Sequence, residues 1–148
     1  MTRKYILAMA VLAGASLAQP PNLPADPRER AAFVHTFVKQ RLAVWQQRLE
    51  LTDWNIAIRM SHRREMKAGT LGAIHWDKHR RKAEIQVMDT SDYELPFRDM
   101  LEDMEFTVVH ELVHLELASL PRSRASRSEE EHAVNQMARA LLQLDRGR

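Results

Sequence analysis

Hydrophobic residues recur at near-helical spacing between residues 26 and 51. Charged residues fill most of the positions between them, which is the pattern of a helix with one buried face. The apolar positions are Phe33, Phe37, Leu42, Val44, Trp45 and Leu49. Asp26 and Pro27 are residue types preferred at a helix cap and at the first helical position. The pattern predicts a helix from about Asp26 to Leu51.

The hydrophobic period then shortens to two. In the segment "DWNIAIRM", which ends at Met60, large apolar residues alternate with small or polar ones, as they do along a half-buried strand. The segments "GTLGAIHW" and "RKAEIQVMD" have the composition of two further strands, and the polar residues 77–81 predict a turn between them. The three segments predict a small sheet of about three strands, antiparallel or mixed.

Two more helices are predicted in the last third of the chain. Pro96 can begin a long helix that continues to about Ser119, and Pro121 ends it. A final helix is predicted from Glu129 to Leu144, because apolar residues recur along one of its faces. The order helix, strands, helix, helix is typical of an α+β domain with helices packed on one face of a sheet.

The long helix contains the segment "TVVHELVHLEL", which has histidines at positions 110 and 114. Positions four apart share a helix face, with Cβ atoms about 5 to 6 Å apart, so His110 and His114 can bind one metal ion. Glu111 is rotated away from that face at about 3.6 residues per turn. It therefore remains beside the ion, where it can act as a general base toward water. The spacing predicts one zinc ion held by both histidines, with Glu111 as the catalytic residue.

The rest of this helix is apolar over most of its circumference, which predicts that the helix is buried. Polar side chains in a buried helix lower stability unless they are satisfied, and a bound metal would satisfy both histidines. The alternative is a buried helix whose histidines bond to backbone carbonyls, with Glu111 at a solvent-exposed edge. The metal interpretation is favoured because the final helix offers a third ligand.

A catalytic zinc site needs a third protein ligand and an open position. The final helix, "SEEEHAVNQMARALL", offers Glu131, with Glu130 and His132 as alternates. Asn135 lies one turn after Glu131, where its amide can hold the far nitrogen of a ligand histidine in the correct tautomer.

The choice between the two glutamates depends on where the final helix begins. If Ser128 is the cap, Glu131 closes a capping box with the backbone and Glu130 becomes the ligand. If Ser126 is the cap, Glu129 closes the box and Glu131 is free. The second arrangement is favoured.

The first 18 residues have the pattern of a secretory signal peptide, with a positive start, an apolar run and a small residue at Ala18. We expect cleavage near Ala18/Gln19 and export to the periplasm or the medium. A stiff, proline-rich linker is expected over residues 19–27, before a domain that spans residues 28–148. The apolar run is shorter than the roughly 20 residues that a membrane span needs, so no span is expected in the mature chain.

Removal of the signal peptide also removes the net charge. The chain has 22 Lys and Arg against 20 Asp and Glu, and residues 1–18 contain two basic residues and no acidic one. The mature chain is then neutral, whereas nucleic-acid binders usually have a basic excess, so no nucleic-acid partner is expected. The chain has no cysteine, so disulfides cannot stabilise the exported domain, and its core must hold by packing alone or with the help of a group such as a metal ion.

The segments "VVHELVHLEL" and "EEHAVNQMARALL" resemble the gluzincin class of HExxH zinc metallopeptidases. The final helix is similar to that of ImmA-type peptidases, and the resemblance covers about Pro96 to Leu144. The short gap between the second histidine and the glutamate, Glu116 in place of an apolar residue and Met137 in place of an aromatic one depart from the family pattern.

The resemblance implies that His110, His114 and Glu131 bind one zinc ion and that Glu111 is the general base. Asn135 would support a ligand histidine. The family also implies hydrolysis of a peptide bond in a substrate that lies extended along a sheet edge. The predicted function is therefore an exported zinc peptidase, monomeric, acting on a peptide or protein substrate.

Two alternative functions remain open. One is a zinc-stabilised binding module without catalytic activity, and the other is a DNA-associated HExxH peptidase with His132 as the third ligand. The candidates for an additional oxyanion donor are Tyr93, His75 and His79, which precede the site helix in the sequence. His75 and His79 are four positions apart but fall in a strand and a turn, so they are predicted to be exposed.

Overall fold

The computed structural model of the protein describes residues 24–121, 123 and 126–147. The predicted signal peptide and the first part of the predicted linker lie outside these residues. Within the described part of the chain, no helix is both long enough and apolar enough to cross a membrane.

The first helix, α1, spans Pro27–Arg48 and confirms the helix predicted from the hydrophobic period. Asp26 is its N-cap, and the Asp26 carboxylate accepts a hydrogen bond from the Arg28 backbone N–H at 2.8 Å. This bond satisfies one of the donors that a helix N-terminus leaves unpaired. The buried face of α1 consists of Val34, Val38, Leu42 and Trp45.

Three strands form one mixed sheet, which confirms the predicted α+β class. They are β1 (Asn55–Ser61), β2 (Gly72–Asp77) and β3 (Lys82–Met88), in the spatial order β1-β3-β2. β2 and β3 are antiparallel and form a hairpin, whose turn is closed by the Asp77 carboxylate accepting from the backbone of His79 and Arg80. β1 pairs with β3 in parallel, so β3 is central and β1 and β2 are both edge strands.

The helix α2 spans Phe97–Glu116 and continues as a short 3₁₀ turn to Ser119, close to the predicted end. It packs against α1, against the third helix α3 (Arg127–Arg146) and against β2 and β3. This central position explains why α2 is apolar over most of its circumference. Its buried residues are Met100, Met104, Thr107, Val108, Val109, Glu111, Leu112, Val113, His114 and Leu115.

The N-terminus of α3 lies at the position favoured by the sequence, but the predicted capping hydrogen bonds are absent there. Ser126 is the N-cap residue, yet its side chain makes no capping hydrogen bond to the helix. The Ser126 hydroxyl bonds instead to Ser123, so the capping box predicted between Ser126 and Glu129 is not formed. Because Ser128 is not the cap either, Glu131 is not engaged by the helix backbone and remains free to face α2.

Candidate metal centre

The two histidines of the α2 motif meet on one side of the helix. Their Nε2 atoms lie 3.1 Å apart, and the rings pack edge to face with centroids 4.8 Å apart. The side chains of His110 and His114 are only 15% and 11% exposed. The four-residue spacing therefore does what the sequence predicts, since it brings two imidazole nitrogens to one point at the surface of the core.

α3 brings a carboxylate to the same point. Glu131 Oε1 lies 3.1 Å from Nε2 of His114, and Glu131 Oε2 lies 3.4 Å from Nε2 of His110. One ligand atom from each of the three residues lies within 4.8 Å of the others. His110, His114 and Glu131 thus form a group that can hold a metal ion, with two nitrogen donors and one oxygen donor.

The chemistry of the histidines fits a metal at this point. Burial lowers the pKa of His110, and the neighbouring His114 lowers it further. A lowered pKa favours the neutral imidazole, which is the form that binds a metal. Nδ1 of His110 is buried and has no hydrogen-bond partner among the described residues, so this ring is not held by the backbone-carbonyl bond that the alternative interpretation requires.

Glu130 lies on the opposite side of His114 from Glu131. Its Oε1 atom is 3.1 Å from Nδ1 of His114, whereas Glu131 faces Nε2. Glu130 therefore does not point at the place where the two Nε2 atoms converge. His132, the other alternate ligand, is exposed on α3 and does not belong to the converging group.

Asn135 is half-buried beside His110, one turn after Glu131. Its side chain acts on the His110 ring and opposes the lowering of the His110 pKa. Asn135 therefore lies against one of the two histidines of the group. Nδ1 of His110 has no hydrogen-bond partner among the described residues, so the support of a histidine by Asn135 stays a prediction.

Glu111 is buried next to the histidines, with 6% of its surface exposed. Burial, together with the negative charge of Glu131, raises the pKa of the Glu111 carboxyl from 4.5 to about 8. No residue that the structure describes donates a hydrogen bond to it. Glu111 is therefore a carboxyl group that is largely removed from water and has no donor among the described residues, and such a perturbed group is common at functional sites.

β2 passes directly over Glu111, and this approach requires glycine. A Cβ atom on Gly72 would overlap the Thr107 side chain and would lie 3.1 Å from Glu111 Oε1. The sequence analysis did not single out Gly72. A glycine within a predicted strand can indicate such a close approach, and Gly72 is the last residue of the segment "GTLG" in the second predicted strand.

The edge of β2 that pairs with no described strand borders a cleft of about 1010 Å³, which is lined by His110, His114 and Glu131. The Leu71 carbonyl accepts from the Met88 N–H at 3.3 Å, which marks Leu71 as a bonded position of the antiparallel ladder. Bonded and non-bonded positions alternate, so the N–H and C=O groups of Gly72 and Ile74 point away from β3. Both residues line the cleft, whose other walls are α2 and α3.

None of the three candidate oxyanion donors belongs to the group formed by His110, His114 and Glu131. Tyr93 donates its hydroxyl hydrogen to Asp103 at 2.8 Å, two turns before the histidines on α2. His79 lies in the hairpin turn. His75 borders the cleft, but its side chain is exposed, as predicted.

Comparison with known proteins gives no relative from which a function can be transferred. The interpretation of this site therefore depends on its own geometry. The chain matches no protein-family profile, no curated protein and no solved structure.

Proposed function

We propose that this protein is a zinc-dependent peptidase in which His110, His114 and Glu131 bind zinc and Glu111 is the general base. One observation carries the proposal. Two imidazole nitrogens and a carboxylate from two different helices converge within 4.8 Å, beside a buried glutamate that accepts no hydrogen bond from any described residue. Three protein ligands with one open position are the pattern of a catalytic zinc, whereas structural zinc sites usually have four protein ligands.

Zinc at this position would supply Lewis acidity, which polarises a carbonyl group and makes a nearby water more acidic. Glu111 is suited to take the proton of that water at a carboxylate oxygen and to pass it to the leaving amine. Burial raises the pKa of Glu111 to about 8, and a divalent cation held by His110, His114 and Glu131 would lower it toward the ionised form that a base requires. Burial limits competing water around the carboxyl group.

The edge of β2 supports a peptide as the substrate class. Backbone groups of Gly72 and Ile74 point away from β3 and into the cleft, so an extended peptide can add to the sheet as a further strand. Gly72 lies beside Glu111, which would bring the backbone of such a peptide close to the general base. Small esters or sugars would make no use of this edge.

The first experiment measures zinc content and hydrolysis on the same preparation. Purified protein should contain about one zinc per chain and cleave members of a quenched fluorescent peptide library. Chelation with 1,10-phenanthroline should stop cleavage, and added zinc should restore it. His114→Ala should lose both properties, while Glu129→Gln, an exposed acid on the first turn of α3, should keep both.

The outcomes separate the three functions that the sequence leaves open. Stoichiometric zinc without hydrolysis of any peptide would favour the silent binding module. Salt-dependent DNA binding, with zinc retained in Glu131→Ala but lost in His132→Ala, would favour the DNA-associated peptidase. Protein that contains no zinc after purification and binds none when zinc is added would exclude all three.

We further propose that the protein is exported and acts as a monomer. The support for export is the sequence pattern of residues 1–18, which lie outside the described residues. N-terminal sequencing of protein from the periplasm or the medium should begin near Gln19, and size-exclusion chromatography with light scattering should give the monomer mass. An intact N-terminus on protein retained in the cytoplasm would contradict the export proposal.

A further inference from the structure

We propose that Glu130 is the positioning residue for His114, holding its Nδ1 atom so that Nε2 faces the metal. The inference rests on the metal site of the proposed function but not on the hydrolysis of a substrate. It assigns different tasks to two adjacent glutamates that the sequence treats as alternatives.

The geometry divides these tasks between the two nitrogens of one imidazole ring. Glu130 Oε1 lies 3.1 Å from Nδ1 of His114, and Glu131 Oε1 lies 3.1 Å from Nε2 of the same ring. Consecutive helical residues point about 100° apart, at about 3.6 residues per turn. His114 is inserted between the two side chains, so each carboxylate reaches a different nitrogen and neither can replace the other without a rotation of α3.

Burial makes the contact with Glu130 the more protected of the two. The Glu130 side chain is 19% exposed, against 51% for Glu131, and His114 is 11% exposed. A hydrogen bond to a charged acceptor is stronger than one between neutral groups, and it is less screened when water is excluded. Glu130 therefore has the environment of a fixed support, while Glu131 lies toward the open cleft.

The consequence for the ring is a defined tautomer. When the Glu130 carboxylate accepts the Nδ1–H hydrogen, the proton of the neutral imidazole is placed on Nδ1 and the Nε2 lone pair is left for the metal. The negative charge of Glu130 also makes Nε2 a stronger donor. The Nδ1 atom of His110 has no such partner among the described residues, and the side chain of Asn135 that acts on this ring is neutral. The two histidines are thus unequal, and His114 is the one whose Nδ1 faces a carboxylate.

The test compares three substitutions in the first turn of α3. Glu130→Ala removes the carboxylate, and Glu130→Gln keeps an acceptor oxygen but removes the charge. Glu129→Gln removes the charge of the exposed neighbouring acid and is the matched control.

Zinc affinity is measured by competition with a chromophoric chelator, and cobalt(II) absorption in the visible range reports coordination. Circular dichroism of each metal-free variant verifies folding, and Glu130→Asp replaces Glu130→Ala if the alanine variant does not fold.

Loss of a group that orients a ligand typically weakens metal binding about 10- to 100-fold. We expect this loss for Glu130→Ala, a smaller loss for Glu130→Gln and no change for Glu129→Gln. The cobalt absorption intensity should stay at the wild-type level in Glu130→Ala, because the number of ligands is unchanged. In the zinc-loaded protein, long-range proton–nitrogen NMR should show Nδ1 of His114 protonated, and this proton should exchange faster in Glu130→Ala.

Two results would overturn the inference. A zinc affinity of Glu130→Ala within about twofold of Glu129→Gln would mean that Glu130 does not support the site. A cobalt spectrum that changes in Glu130→Ala as it does in Glu131→Ala would mean that Glu130 is itself a ligand. Neither readout needs a substrate, so a protein that binds zinc as expected but hydrolyses nothing would contradict the proposed peptidase and leave the role of Glu130 intact.

Discussion

Glu105 and Glu111 lie on the same helix, less than two turns apart, in opposite surroundings. Glu105, whose side chain is 13% exposed, accepts hydrogen bonds from Arg41 Nε at 2.6 Å and from Trp45 Nε1 at 2.8 Å. Glu111 is buried as well, yet no described residue donates to it. A carboxylate removed from water is stable when donors replace the water, so Glu105 joins α1 to α2. Glu111 makes no such connection between described residues, and under the proposed function it is the general base.

The comparison predicts a division of effects between activity and stability. Substitution of Glu111 should affect catalysis and leave the fold intact or more stable. Substitution of Glu105 should affect the fold and leave catalysis intact. The following predictions test this division, from the largest expected effect to the smallest.

Glu111→Gln should lower kcat about 10²- to 10⁴-fold, because a positioned proton acceptor is lost. Zinc content should be unchanged, since the side chain is not among the converging ligand atoms. Steady-state kinetics on a cleaved peptide and metal analysis by mass spectrometry measure the two quantities. Glu105→Gln is the matched control and should keep the wild-type kcat. Wild-type turnover by Glu111→Gln would remove Glu111 from the mechanism.

The stability of the zinc-free protein should depend on Glu111 with a defined sign. Its pKa is raised from 4.5 to about 8 in the folded state, so between these values the folded chain binds a proton that the unfolded chain does not. The contribution to stability is complete below pH 4.5 and is lost as the pH rises toward 8. Glu111→Gln lacks this loss and should be more stable than the wild type by up to about 3 kcal/mol at pH 7.

Urea unfolding in the presence of a chelator, at a series of pH values, measures this difference. The curves of wild type and Glu111→Gln should meet near pH 4.5 and separate as the pH rises. If the free energies of unfolding of the two proteins differ by the same amount at every pH in this range, the pKa of Glu111 is not raised by burial.

Glu105→Gln should lower the free energy of unfolding by about 2 kcal/mol, because hydrogen bonds to a charged acceptor are lost at a largely buried site. Arg41 keeps a second partner, Asp145, at 3.2 Å, which limits the loss. Chemical denaturation gives the value. A stability equal to that of the wild type would mean that the bonds to Arg41 and Trp45 contribute little.

Gly72→Ala should lower the free energy of unfolding by at least about 1 kcal/mol, because the new methyl group overlaps the Thr107 side chain. Thr107→Ser removes the methyl group in the overlap and keeps the hydroxyl that bonds to the Asp103 carbonyl. The double variant should therefore regain most of the lost stability. Additive losses in this double-mutant cycle would contradict the close packing of β2 on α2.

Asp145→Asn should have the smallest effect, about 0.5 kcal/mol at pH 7, since pairs near the surface contribute little. The hydrogen bond and charge of Arg48, helped by Arg41, lower the pKa of Asp145 in the folded state. A lowered carboxyl pKa gives stability that is complete above the unfolded pKa, 3.8, and is lost as the pH falls through the folded pKa. Unfolding curves of the two proteins should therefore converge below pH 4 and differ above it.

The local features of the fold could be predicted because their causes are local. The cap at Asp26, the hairpin turn at Asp77 and the apolar circumference of α2 all follow from residues that are close in the sequence. The capping box at Glu129 could not be predicted reliably, because Ser126 had a competing partner in Ser123. The strand order could not be predicted either, since a parallel pair between β1 and β3 depends on the path of the intervening chain.

The candidate site divides in the same way. The proximity of His110 and His114 follows from four-residue spacing on any helix, so the sequence by itself determined this pair and the adjacent position of Glu111. The tertiary structure alone decided which glutamate meets them, because that depends on the rotation of α3 about its axis against α2. It also decided that Gly72 covers Glu111, since backbone approach between β2 and α2 is a property of packing. Helical periodicity relates residues within one helix. Which nitrogen of His114 each of the two carboxylates reaches depends instead on how α3 packs against α2.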